Sequence, residues 1–331
     1  MENVDIFAIG NALLDTLVFV EDDFLKSHKI DKGIMTLIDH EKQQALVKEL
    51  KTKKLEVKSG GSAANTMHGL SLCGGTGIFA GKVANDEFGK YYEDDLKKAG
   101  ISLEATAGDA NTLSTGACLV LISPDGERSM LTYLGISSTL SLNDFNLEDI
   151  KRSKGLYIEG YMWDGEKQKE ACLKALNFAR ENGILRTMTF SDPFCVNRAH
   201  DEFADLCKNH LDVVFCNSEE VLAFTEQSDL DKAIDLFSRD VKKAFVTNSE
   251  KGAIVISNGN IERVPGFPVK VLDTTGAGDA FAAGTLYGLS RGYSDVKSAR
   301  LGNFLGSKIV QKEGARLDLN DIKEIKEIEN E

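Results

Sequence analysis

The residues of this 331-residue chain that most clearly suggest chemistry are Asp273, Thr274, Thr275, Gly276, Ala277, Gly278 and Asp279. Gly276 and Gly278 carry no side chains, so backbone N–H groups around Ala277 can approach an anion closely, in a turn that permits positive φ. The alanine- and glycine-rich run that follows reads as a helix, whose unpaired N–H groups and dipole favour a phosphate without any lysine. Asp279 then places a carboxylate where a polyphosphate would sit, which is unfavourable unless the carboxylate takes part in the reaction. A hydroxyl that accepts a phosphoryl group needs such a proton acceptor. The helix N-terminus lowers its basicity, but the loose transition state of phosphoryl transfer lets a weak base suffice. On these residues alone, an acid that merely caps the helix is an equal reading.

Two further stretches combine glycine with polar side chains. Gly60, Gly61 and Ser62 precede a predicted helix containing Asn65, and Asn11 and Asp15 follow the first predicted strand. An acid plus an amide suits paired ribose hydroxyls; polar turns are the plain alternative. Other glycine motifs fail. G-x-G-x-x-G is broken by Phe281, and the run before Gly81-Lys82-Val83 has Thr76 for the leading glycine and no closing Ser or Thr. No protein-kinase HRD or DFG set is present.

The elements that must position these groups follow from periodicity. Strand-like runs at 4–9, 77–80, 155–158, 185–190, 213–216, 244–247 and 253–257 alternate with helical patterns at 41–50, 63–73, 87–99 and 166–180. Residues 269–272 read as one more strand, ending at the Asp273–Asp279 motif. Such alternation predicts an α/β, doubly wound, mostly parallel sheet, with ligands at the carboxyl ends of its strands. The inserts 11–38 and 112–135 break the pattern. The second contains two strand-like runs about the turn Pro124-Asp125-Gly126, a predicted hairpin. We therefore expect a discontinuous small β lid (11–38, 112–135) over a large body (1–10, 39–111, 136–331). Ile322, Ile325 and Ile328 predict a closing helix docked on that body.

Composition narrows the partners. A net charge of −13 argues against a nucleic-acid or anionic-membrane surface. Six cysteines without a CxxC pair read as buried free thiols in a reducing cytoplasm, and neither a signal peptide nor an 18-residue apolar span is apparent.

Taken together, GGSAAN (60–65), GERS (126–129), NSEE (217–220) and DTTGAGDAF (273–281) strongly resemble the ribokinase or phosphofructokinase-B (PfkB) family of small-molecule kinases. GNALLD (10–15) is similar to the adenosine kinase-like branch, which has proline where this chain has Ala12. The resemblance implies ATP and Mg²⁺, with Asp279 as base and Thr275, Gly276, Ala277 and Gly278 as the anion hole. It implies Asn11, Asp15, Gly60, Gly61, Ser62 and Asn65 on the acceptor's hydroxyls, and Arg128 neutralising phosphate from the lid. Asn217, Thr247, Ser249, Gly252 and Asn303 would line ATP, with Ser249 replacing a family glycine and Glu220 reaching magnesium through water. A potassium site would join Asp273 and Thr275 to backbone near Ile309, Lys312 and Gly314. The acceptor is expected to be a small-molecule nucleoside or sugar, adenosine first because Asn11 and Asp15 stand four residues apart, with a ribokinase- or fructokinase-type sugar as the alternative. Phe19, Tyr161 and Met162 are candidates for stacking on a purine. Monomer and homodimer stay equally open.

Overall fold

The computed structural model describes residues 3–104, 107–109 and 111–330. Among them are fourteen strands: β1 (Val4–Ile9), β2 (Leu13–Phe19), β3 (Met35–Leu37), β4 (Glu56–Ser59), β5 (Gly77–Ala80), β6 (Ile101–Glu104), β7 (Gly116–Ile122), β8 (Arg128–Tyr133), β9 (Ser153–Glu159), β10 (Leu185–Thr189), β11 (Val213–Asn217), β12 (Lys243–Thr247), β13 (Ala253–Ser257) and β14 (Asn260–Val264). Nine form one sheet in the order β14-β13-β12-β11-β10-β9-β1-β5-β6. From β12 to β6 every pairing is parallel, and β13 and β14 add an antiparallel edge.

Near-continuous apolar strands suit a parallel sheet covered on both faces. Alternation sends Ile6, Ala8, Tyr157 and Phe215 into one core and Phe7, Ile9, Ile158 and Val214 into the other. The first core also contains the helices Ser62–Leu72, Ala277–Ser290 and Asp295–Ile309; the second contains Glu166–Glu181 and Leu230–Phe237. From β1 the sheet grows toward β5 and β6 on one side and toward β9 to β12 on the other. The crevice between the ends of β1 and β9 is thus the switch point where ligands of such sheets bind.

The small-residue character of Ala277–Ser290 is a packing requirement. A Cβ on Gly284 would lie 2.6 Å from Leu301 O on the neighbouring helix, and Ala283 Cβ sits 2.7 Å from where a Gly69 Cβ would be. The helix carrying Asp279 is wedged between two others, which fixes its N-terminus.

The predicted lid is a five-stranded sheet, β3-β8-β7-β2-β4, whose β7–β8 hairpin pairs Ile122 with Arg128. Its own core joins Val18, Leu119, Leu121 and Leu131 to Leu25, Leu46 and Leu50. This revises the expected division at 39–59. The helix His40–Leu50 packs on the lid, and β4 pairs with β2 from Leu14–Ser59 to Leu17–Glu56. An amphipathic helix declares its apolar face in sequence but not which of two cores receives it. Residues 269–272 are also corrected. They form no strand, and Val271 and Leu272 are 56% and 64% exposed. β-branched residues favour a pleated surface only where a neighbouring strand completes it. Here Leu272 N and Asp273 N instead donate to Val310 O, at 2.7 and 3.2 Å.

Ile322, Ile325 and Ile328 are buried in the large body, the helix itself spanning Ile325–Asn330. All six cysteines are buried free thiols. Among the described residues no helix is long and apolar enough to cross a membrane.

Candidate active site

Gly276 forms the N-cap of Ala277–Ser290 at φ 75°, in the left-handed region, and a Cβ there would fall 2.8 Å from Ala315. A Cβ on Gly278 would meet nothing within 4 Å, leaving open space over the helix N-terminus. The two glycines are therefore required for different reasons, one by the turn and one by an approach path to the N–H groups.

Asp279, in the first turn of this helix, faces the N-terminus of Ser62–Leu72. Ser62 Oγ donates to Asp279 Oδ1 at 2.6 Å and Asn65 Nδ2 to Oδ2 at 3.2 Å. Burial raises its pKa to about 6, against the lowering effect of these two bonds and of Arg316. Desolvation thus outweighs the two hydrogen bonds and the guanidinium, which leaves the carboxylate a stronger base than a free aspartate.

Across the crevice, a Cβ on Gly60 would lie 2.4 Å from Asp15 Oδ2, and one on Gly61 would lie 2.3 Å from Asn11 O. Asp15 and Asn11 thus close directly over the glycine pair. Burial pushes Asp15 up to about 7, with Arg316 and Arg128 opposing and Asp279 adding. Asn11 is buried in a polar network: its Oδ1 accepts from Ser137 Oγ and Gln168 Nε2, both at 2.9 Å. Its backbone N and Nδ2 donate to Glu159 Oε1 at 2.7 and 2.9 Å, while Ala63 N donates to Oε2 at 2.9 Å.

Glu159 escaped the sequence reading. It ends β9 at the switch point, and burial raises it to about 7 despite the three donors. An acid closing an apolar strand, Leu156-Tyr157-Ile158-Glu159, was the available signal. Arg316 also escaped, because its partners Asn65 and Asp95 lie more than two hundred residues away.

On the lid, strand register places Asp15, Leu17, Cys118, Val120, Ile122, Arg128 and Met130 on one face. Leu17, Cys118, Val120, Ile122 and Met130 form an apolar cluster between the two charged groups. Of the expected stacking residues, Phe19 lies on this same face beyond Leu17, paired with Ile122 and 61% exposed, whereas Met162 is fully buried in the second core and Tyr161 packs against that core. An aromatic or thioether near a strand end more often completes a core than lines a pocket.

Arg128 forms an ion pair with Asp273, linking lid to glycine loop. Asp273 Oδ1 also accepts from Thr275 N at 3.0 Å, and Oδ2 from Gly314 N at 2.7 Å. Ile309 O accepts from Lys312 N at 3.2 Å, and the Lys312 ammonium bonds Asp321 at 2.8 Å. Asp273, Thr275 and Gly314, three of the residues expected to hold potassium, are therefore brought together around one carboxylate that accepts from two N–H groups and a guanidinium, which leaves any cation there to backbone carbonyls.

The nucleotide-side residues sit at the ends of β11 and β12. Asn217 caps Ser218–Thr225: its Oδ1 accepts from Glu220 N at 2.8 Å, and Glu220 accepts from Asn217 N and Nδ2 at 3.0 and 2.9 Å. Burial, with Asp192 and Glu219 adding, raises Glu220 to about 8. Such an acid suits a dication, and among the described residues no larger acidic or histidine cluster competes with it. Magnesium bound mainly by substrate phosphates needs no more. After Thr247, Ser249 adopts φ 49° and Gly252 φ 91°, where a Cβ would lie 2.2 Å from Val264 O. Serine thus takes the left-handed turn that the family glycine would take without strain. Asn303 Nδ2 donates to Val264 O and Pro265 O at 3.0 and 3.1 Å, bracing this loop through its amide nitrogen.

Comparison with known proteins agrees with this geometry. The pfkB family carbohydrate kinase profile matches residues 26–322. An adenosine kinase of Saccharomyces cerevisiae is 27% identical over 327 residues, spanning 92% of this chain and 94% of that protein. The crystal structure of adenosine kinase from Sinorhizobium meliloti superposes with TM-score 0.92 at 35% identity, covering 98% of this chain and 99% of that one. A probable sugar kinase protein from Rhizobium etli CFN 42 superposes equally well, TM-score 0.92 at 34% identity, over 99% and 100% of the two chains. The chain belongs to the pfkB family of carbohydrate kinases, and is a phosphotransferase acting on an alcohol group of its acceptor.

Proposed function

We propose that this kinase transfers the γ-phosphoryl group of ATP to a primary hydroxyl of a ribose-containing acceptor, the 5′-hydroxyl of adenosine first. The observation that carries the reading is Asp279, half-buried at the open N-terminus of Ala277–Ser290 and bonded to Ser62 and Asn65 of the acceptor loop. Membership of a kinase family implies ATP and usually Mg²⁺.

Asp279 takes the proton of the acceptor hydroxyl as its oxygen bonds to the γ-phosphorus and the bond to the bridging β,γ-oxygen breaks, releasing ADP. The N–H groups of Gly276, Gly278 and Asp279 at the helix N-terminus receive the charge spread over the equatorial oxygens. Glu220 would hold magnesium, which when bound would supply neutralisation of the phosphate charge. Asp15 and Asn11 hold the ribose hydroxyls. The apolar lid face around Leu17, Val120 and Met130 covers the base, and Arg128 leaves Asp273 for the phosphates.

A sugar kinase is the second reading, favoured by the likeness to the probable sugar kinase of Rhizobium etli. Both readings share Asp279 and the glycine loop. ADP release from ATP and Mg²⁺, measured with adenosine, guanosine, inosine, cytidine, ribose and fructose, separates them. We expect adenosine to give the highest kcat/KM; a higher value for a free sugar overturns the nucleoside assignment.

A further inference from the structure

The carboxylate of Asp279 is oriented by an asparagine amide, and an amide has two faces of opposite sign. Asn65 presents Nδ2 to Asp279, and the reason is on its other side, where Arg316 Nε donates to Asn65 Oδ1 at 3.0 Å. With an arginine on that side, a flipped amide would point its NH₂ at a guanidinium and its oxygen at a carboxylate. Both contacts would be repulsive. Arg316 is in turn held by an ion pair with Asp95 of the helix Glu87–Lys98. The chain Asp95–Arg316–Asn65–Asp279 thus runs from a surface helix, through the segment before the closing helix, to the carboxylate. None of its members is adjacent in sequence.

We propose that Arg316 is a positioning residue for the catalytic carboxylate, locking the Asn65 amide so that it donates to Asp279. The inference rests on Asp279 being the base. The charged and titratable groups around the pair are Asp15 on β2, Tyr157 and Glu159 on β9, and His68 and Tyr92 on the two flanking helices. His68 is kept neutral, its pKa pushed down to about 4 by burial and by Arg316. Arg128 also acts on Asp15 and Lys312 on His68, but Arg316 is the cation that favours the ionised forms of both Asp15 and Asp279.

The test uses the full-length protein with adenosine and Mg·ATP as probes, or the best acceptor from the screen. Arg316→Met removes donor and charge; Arg316→Lys restores charge and one donor. We expect Arg316→Met to lower kcat by at least about tenfold, with KM for ATP changed less than about threefold, and to shift the acid limb of the pH profile upward. Arg316→Lys is expected to recover most of both effects. In an Asn65→Ala background the further loss from Arg316→Met should be less than about twofold, since coupled residues are not additive. Thermal melts report folding, and kcat is taken per folded molecule. An unchanged acid limb, or full additivity with Asn65→Ala, overturns the positioning role. Asp279→Asn separates the two levels. If that variant still turns over, the base assignment itself fails; if it is inactive while Arg316→Met behaves as wild type, only the role of Arg316 fails.

Discussion

At the scale of single residues, the site is a set of carboxylic acids, Glu159 buried and Asp15 and Asp279 half-buried, packed into one crevice. Asp279 at about 6, and Asp15 and Glu159 at about 7, lie within electrostatic reach of one another. They titrate as a group, so the acid limb belongs to the cluster and not to one member. The base works only when ionised. In the free enzyme kcat/KM should therefore rise with pH through about 6 to 7 and fall away below, as a pH–rate profile will show; a flat profile from pH 5 to 8 contradicts the assignment. Asp279 and its glycines were legible in sequence because neighbours in the chain do the work together. Glu159 and Arg316 were not, because their meaning lies in partners that only folding supplies.

At the scale of elements, the helix Ala277–Ser290 holds its N-terminus in place by close contact with its neighbours. Gly284→Ala tests this by sign. On helix propensity alone the change stabilises by roughly 0.5–1 kcal/mol. With Leu301 O only 2.6 Å from the new Cβ, overpacking should instead destabilise by about 1–3 kcal/mol, seen as a lower Tm and a lower denaturation midpoint. In the nucleotide loop, Ser249→Gly should relieve the left-handed strain of about 1–2 kcal/mol, raising Tm modestly without weakening ATP binding. The βα alternation and the lid hairpin were legible because apolar runs and a Pro-Asp-Gly turn are local signals. The strand expected at 269–272 and the affiliation of 39–59 were not. A strand needs a partner, and a helix needs a core, and both choices are made in three dimensions.

At the scale of the whole molecule, the active-site crevice costs stability that pH can expose. Asp15, Glu159 and Glu220 have folded-state pKa values of about 7, 7 and 8, raised above those of the unfolded chain near 4. The folded protein therefore binds more protons than the unfolded one across this range, and stability falls as pH rises through it. His68, with a lowered pKa, works in the opposite sense but only below about 6.5. From pH 6.5 to 8 the acids dominate, and we expect the ligand-free protein to lose on the order of 3 kcal/mol, a Tm lower by several degrees. Differential scanning fluorimetry across that window checks it; a Tm that stays level would mean these carboxylates are already ionised in the fold. Mg·ATP should reduce the loss, because a dication near Glu220 favours its ionised form.

The central claim is that a carboxylate at a helix N-terminus is the base of a phosphoryl transfer. Its most direct test is Asp279→Asn, followed by ATP binding in a calorimeter and by ADP release with the preferred acceptor. The account predicts ATP affinity within about threefold of the wild type and turnover lower by roughly 10² to 10⁴. Turnover equal to that of the wild type would contradict it.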